Sequence, residues 1–283
     1  MLTTLIEAQD LLRLMTSGPA PLVLDASFEL NNPSAGQAQY AREHIPGSLH
    51  ADLDRDLSDH DQPANAGRHP LPSREAFAQR LVAWGLQPQQ QVVVLDRQGA
   101  NYCGRLWWML KWCGHEPVAV LNGGLAAWKA LGGPVTHAPT PPPSPGSFVL
   151  APSLVRMLDT ADLQRALGHP GQTVIDARAA ARFRGEVEPL DPVAGHIPGA
   201  LNRPFGDNVG SDGRFKPAEA LRQEFLQLLG GRDPASVVHQ CGSGVSALPN
   251  LLAMEIAGLG RSALYPGSWS AWCNTPGTPR ARS

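Results

Sequence analysis

Short apolar runs bounded by turn residues alternate along the chain with longer stretches whose apolar positions follow helical spacing. Val92 to Leu95 and Val237 to Gln240 predict strands. Arg74 to Trp84, Ala218 to Leu229 and Leu248 to about Ala257 predict helices, the last tolerating Pro249 in its first turn. Strands and helices alternating in this order imply an α/β fold with a small parallel sheet flanked by helices on both faces. Open sheets of this kind place ligand sites beyond the carboxyl ends of the strands, where a loop leads into the next helix. The residue that follows Gln240 is Cys241.

The pattern occurs twice. Val23-Leu24-Asp25-Ala26-Ser27, His44-Ile45-Pro46-Gly47-Ser48, Val92 to Leu95 and Gly123-Gly124-Leu125-Ala126-Ala127-Trp128 are answered in the same order by a second set. That set is Val174-Ile175-Asp176-Ala177-Arg178, His196-Ile197-Pro198-Gly199-Ala200, Val237-Val238 and Gly267-Ser268-Trp269-Ser270-Ala271-Trp272. Between the copies lies a proline-rich stretch, 137–147, whose missing amide donors exclude a helix or a central strand. With 283 residues, more than one core usually holds, the chain divides on this reading into domains 1–136 and 148–283 joined by that linker.

Composition narrows the function classes. Hydrophobic residues make up 42% and charged residues 17% of the chain, and the formal net charge is -2, so nothing draws it to nucleic acid and any anion specificity is local. The first residues lack the basic start and apolar run of a secretory signal, and no apolar stretch is long enough to span a bilayer. A cytoplasmic location is expected. Cys103, Cys113, Cys241 and Cys273 form no C-x-x-C pair and stand in no zinc-like spacing with histidine, so reduced thiols and no metal are expected. Cys103 and Cys113 fall in an apolar helical stretch and read as core, as do the tryptophans at 107, 108, 112 and 128. Cys273 reads as a peripheral thiol, with a resolving partner for Cys241 as the alternative. The recurrence of His44 and His196 in both copies points to a structural role.

Cys241 opens the loop Cys241-Gly242-Ser243-Gly244-Val245-Ser246-Ala247 at a helix entrance. Two glycines let successive N–H groups converge into an anion nest, reinforced by the helix dipole, which stabilises a thiolate and suits a persulfide or a transferred anion. The alternative is a buried cysteine before a glycine turn.

These residues resemble the tandem-domain sulfurtransferases, the thiosulfate (rhodanese) and 3-mercaptopyruvate enzymes. The resemblance rests on the His-Ile-Pro-Gly blocks at 44–47 and 196–199, the Cys241 loop and the terminal Tyr265-Pro266-Gly267-Ser268-Trp269-Ser270. It implies two rhodanese-like domains. The first would be a silent copy, with Asp96 near the place of Cys241, and the second would hold the nucleophile. It implies a ping-pong reaction with neither cofactor nor metal: the thiolate takes sulfur from a small anionic donor, forms a persulfide, and passes the sulfur to cyanide, a thiol or a thioredoxin-like acceptor.

Thiosulfate enzymes resemble Cys-Arg-Lys-Gly-Val-Thr in this loop and mercaptopyruvate enzymes Cys-Gly-Ser/Thr-Gly-Val-Thr, so the loop here points to 3-mercaptopyruvate, with thiosulfate second. On the resemblance, Gly242, Gly244, Val245 and Ser246 line the donor site and Arg182 is the first arginine of a carboxylate fork, unless it is a surface ion pair with Glu186 or Glu188. The second arginine of mercaptopyruvate enzymes should follow Glu188-Pro189, where this chain has Leu190. Either Arg184, Arg178 or another cation compensates, or the preference for mercaptopyruvate is weaker than the loop implies. Some family members resemble a Ser-His-Asp set, and the matching positions are Ser243, His69 and Asp54, with His69 as a solvated loop residue the alternative. A cysteine phosphatase would need an arginine where Ala247 stands. A silent binding module would not need Cys241 and its glycines.

Overall fold

The computed structural model describes residues 1–283 in two compact units. The units are not colinear with the two halves of the sequence. The first comprises Met1–Ser58, Pro72–Leu154 and Val209–Phe215; the second comprises Asp59–Leu71, Val155–Asn208 and Lys216–Ser283. The proline-rich stretch between the halves, residues 137–147, contains neither helix nor strand.

The first unit contains β1 (Leu5–Ile6), α1 (Ala8–Thr16), β2 (Leu22–Asp25), α2 (Ser34–Arg42), β3 (Leu49–His50), α3 (Arg74–Ala83), β4 (Val92–Leu95), α4 (Cys103–Trp112), β5 (Val118–Leu121) and α5 (Gly124–Ala130). Its five strands are all parallel, in the order β1-β5-β4-β2-β3. Val93, Leu95, Ala119 and Leu121 join Leu11 and Trp128 in one core, and Val92, Val94, Val118 and Val120, which point the other way, are buried as well. Both faces are therefore covered, as continuous apolar strands require. Every residue of α4 is buried, including Arg105, whose guanidinium donates to the Leu57 carbonyl, and Lys111, which lies 4.2 Å over the Trp107 ring.

The second unit contains α6 (Thr160–Arg165), β6 (Thr173–Asp176), α7 (Ala180–Arg184), β7 (Leu201–Asn202), α8 (Ala218–Leu229), β8 (Val237–Gln240), α9 (Leu248–Ile256), β9 (Ala263–Leu264) and α10 (Ser268–Asn274). Its parallel sheet runs β7-β6-β8-β9, and the counterpart of β1 is reduced here to a single bridge between Met157 and Leu264.

The repeat extends to side-chain detail. His44 Nδ1 lies 2.8 Å from the Tyr40 carbonyl oxygen and its ring stacks on Tyr40; His196 Nδ1 lies 2.8 Å from the Phe183 carbonyl oxygen and its ring stacks on Phe183. Trp128 and Trp272 donate at 2.8 Å to the carbonyls of Pro134 and Pro279. The recurring histidines thus hold the same turn in each copy.

His239 on β8 is wholly buried, with Nε2 3.1 Å from Met254 Sδ and no partner for Nδ1. Burial, aided by the charge of Arg203, pushes its pKa from 6.5 down to about 3. Above pH 6.5 the ring is neutral in both states; below it the unfolded chain binds a proton that the folded chain refuses. Stability therefore falls as pH drops from about 6.5 toward 3, with His239 costing about 2 kcal/mol between pH 7 and pH 5. Urea midpoints at the two pH values should show this loss, and His239→Leu should flatten it; an unchanged slope in the variant contradicts the assignment.

Candidate active site

Parallel register fixes where chemistry can stand. Asp176 pairs with Gln240 across β6 and β8, and Asp25 pairs with Leu95 across β2 and β4, so Cys241 and Asp96, the next residues, occupy equivalent strand ends. In the first unit the Asp96 carboxylate fills its own loop. Oδ1 accepts from the amides of Gln98 and Ala100 at 2.9 and 3.0 Å, and Oδ2 from those of Tyr102 and Cys103 at 2.8 and 2.9 Å. A fixed anion takes the converging N–H groups there.

In the second unit Cys241 is 1% exposed, and the amides of Gly242, Ser243, Val245 and Ser246 donate to no backbone carbonyl. The terminal block seats this loop. Trp269 and Ser270 donate their amides to the carbonyls of Cys241 and Gly242 at 3.0 and 2.9 Å, and the Cys241 amide donates to Ser268 Oγ at 3.1 Å. The same hydroxyl lies 4.0 Å from Cys241 Sγ. Ser268 reaches this position with φ of 53°, in the left-handed region that serine adopts at a cost of roughly 1–2 kcal/mol. Gly244 has φ of 75°, and a side chain there would collide with the Pro266 carbonyl. Val245 is buried and Ser246 half-buried.

The segment Asp59–Leu71 is held on α10 by the Arg68 amide, which donates to Ser270 Oγ at 3.1 Å. At Gly67, φ is 99°, and a Cβ would stand 2.8 Å from the Gly267 carbonyl oxygen. This anchorage delivers His69, which is buried rather than solvated, with Nδ1 2.7 Å from Ser243 Oγ. Ser243 and His69, separated by 174 positions, are thus brought together. Asp54 belongs to the first unit, where its amide donates to Asp52 Oδ1 at 3.0 Å.

Arg182, on α7, donates through Nη2 to Glu188 Oε1 at 2.6 Å and to Asp191 Oδ2 at 3.3 Å. Beside it stands Arg68, whose Nη1 bonds Asp191 Oδ1. A Cβ added to Gly242 would lie 2.8 Å from Arg68 Nη2 and 3.5 Å from Arg182 Nη1, so both guanidinia overhang the loop. The Nε of each is buried without a hydrogen-bond partner. The other cations have separate tasks. Arg178 is buried on Asp176, Glu188 and the Gly195 carbonyl, 4.9 Å over the Trp269 ring; burial opposes its charge, but Asp176, Glu188 and Cys241 hold its pKa above the usual value. Arg184 is exposed on Glu186. Arg68 was not among the candidates from sequence. It belongs to no motif, and only its position next to His69 could have pointed to it.

Burial raises the pKa of Cys113 and Cys273 to about 11 and that of Cys103 well above its ordinary value, so all three remain thiols. Cys273, expected to be peripheral, is only 5% exposed because α10 packs it into the core. No group of three His, Cys, Asp or Glu is arranged to hold a metal, and no helix is long and apolar enough to cross a membrane.

A cysteine at a strand end, a glycine loop and a repeat of the same parallel unit define a class, and the comparisons agree. Residues 7–131 and 159–275 match the rhodanese-like domain. Over 266 residues the chain is 49% identical to a Pseudomonas aeruginosa protein named "Probable 3-mercaptopyruvate sulfurtransferase", covering 94% of this chain and 93% of the other. It is 34% identical to human 3-mercaptopyruvate sulfurtransferase over 280 residues, 95% and 91% of the two chains. The crystal structure of SseA from Escherichia coli superposes with a TM-score of 0.80 at 31% identity, covering 95% of this chain and 99% of that one. The chain belongs to the rhodanese-like family, among its tandem-domain sulfurtransferases.

Gly244→Ala should destabilise the second unit by about 3 kcal/mol, combining a left-handed backbone with a displaced Pro266 carbonyl. A urea midpoint unchanged from wild type would contradict this loop geometry.

Proposed function

We propose that the chain transfers the sulfur of 3-mercaptopyruvate to a thiophilic acceptor through a persulfide on Cys241. The observation that carries this reading is the placement of Arg68 and Arg182 over a loop whose own side chains are uncharged, with Ser243 bonded to His69. Two planar forks suit a carboxylate, and the seryl hydroxyl suits a carbonyl or the departing enolate.

In this mechanism the Cys241 thiolate attacks the donor sulfur, the S–S bond forms and the C–S bond breaks, its electron pair leaving on pyruvate as the enolate. Ser243, hydrogen-bonded to His69, supports charge on the enolate oxygen, and one proton completes pyruvate. Gly242, Gly244, Val245 and Ser246 shape the pocket floor, and the amides of Gly242, Ser243, Val245 and Ser246, which donate to no backbone carbonyl, are left for the sulfur. An acceptor thiolate, from a small thiol or a thioredoxin-like protein, or cyanide, then takes the outer sulfur and restores Cys241. The first copy is silent because Asp96 replaces the nucleophile and neutralises its own nest. The reaction is assigned to the cytoplasm.

Initial rates of sulfur transfer to cyanide from 3-mercaptopyruvate and from thiosulfate test the reading. Wild type should favour mercaptopyruvate, Cys241→Ser should abolish turnover, and His69→Asn should lower kcat by about 10²-fold with little change in fold stability. Dominant thiosulfate turnover replaces the donor assignment, and turnover surviving Cys241→Ser removes the nucleophile.

A further inference from the structure

We infer that Asp191 is a resident counter-ion that sets the charge of the donor site and selects a monoanionic donor over a dianionic one, with Arg68 as the second arginine of the fork. The inference rests on the sulfurtransferase reading and refines its substrate class.

Asp191 bridges the two guanidinia that overhang Gly242, with Oδ1 on Arg68 and Oδ2 on Arg182. Its side chain is 2% exposed, so the pairing is little screened by water. The turn that presents it is fixed by Glu188, whose Oε1 accepts the amides of Leu190 and Asp191 at 3.1 and 3.2 Å. The formal charges of Arg68, Arg178 and Arg182 are balanced by those of Asp176, Glu188 and Asp191. With Cys241 as thiolate the cluster is therefore net negative before any donor arrives.

Such a site discriminates by charge number. A fixed charge acts twice as strongly on a dianion such as thiosulfate as on a monoanion such as a 2-oxo acid carboxylate at the same place. Asp191 engages Arg68 through Nη1 and Arg182 through Nη2, while Arg68 Nη2 and Arg182 Nη1, the nitrogens nearest Gly242, are placed to offer a carboxylate hydrogen bonds. A monoanion thus finds donors without requiring excess positive charge, which a dianion needs.

The charge argument predicts a defined pattern. Asp191→Asn, adding one positive charge, should raise kcat/KM about ten-fold for thiosulfate and about three-fold for 3-mercaptopyruvate. Arg68→Gln, removing one, should depress both, thiosulfate again by about the square of the factor for mercaptopyruvate. The paired variants of opposite sign keep the test open if either fails to fold, and thermal melts identify that case. A donor ratio unchanged in the folded variants, or shifted the same way by both, overturns the inference while leaving the sulfurtransferase reading intact. Wild type that turns over neither donor overturns both.

Discussion

The second unit depends on one turn, Tyr265 to Ser270. Its amides hold the carbonyls of Cys241 and Gly242, and its Ser268 hydroxyl takes the Cys241 amide. The Ser270 hydroxyl anchors the Arg68 amide, and with it the segment that carries His69. The Cys241 loop, His69 and Arg68 are therefore positioned from a single piece of backbone. That economy explains why Ser268 tolerates a left-handed conformation: the strain is local, while the hydrogen bonds it secures fix the loop against displacement.

The two copies differ by little between a loop closed by its own carboxylate and one that holds a thiol. Gly124 stands where Ser268 does, with φ of 56° against 53°, so the chain enters the left-handed region at the same point in both copies. In the first copy glycine takes that conformation without strain and offers no hydroxyl, and Asp96 satisfies the amides of its own loop. In the second copy a serine and a cysteine replace these residues, and the loop amides stay clear of backbone carbonyls. The same frame holds a permanent carboxylate in one case and a thiol in the other.

Around Cys241 the protein balances charge rather than accumulating it. Buried guanidinia remain ionised because each meets a carboxylate, as Arg178 meets Asp176 at 2.7 Å. His239, on the strand that leads into Cys241, responds to burial by staying neutral. The remaining cysteines are likewise kept protonated by desolvation, which leaves reactivity to be decided by position.

The strands Val92–Leu95 and Val237–Gln240, the helices Arg74–Ala83 and Ala218–Leu229, the duplication and the loop after β8 were legible in the sequence, because they follow from apolar period, turn residues and local spacing. Cys241, Ser243 and Arg182 could be named because each lies in a motif of adjacent residues. Arg68 and the bridging role of Asp191 could not. Neither has a local pattern, and their meeting across 123 positions depends on the segment Asp59–Leu71 joining the second unit. The burial of Cys273 and the meeting of His69 with Ser243 were likewise settled only by packing. Local sequence determines elements because backbone hydrogen bonds and side-chain period act over a few residues, whereas contacts between distant segments exist only once the chain has folded.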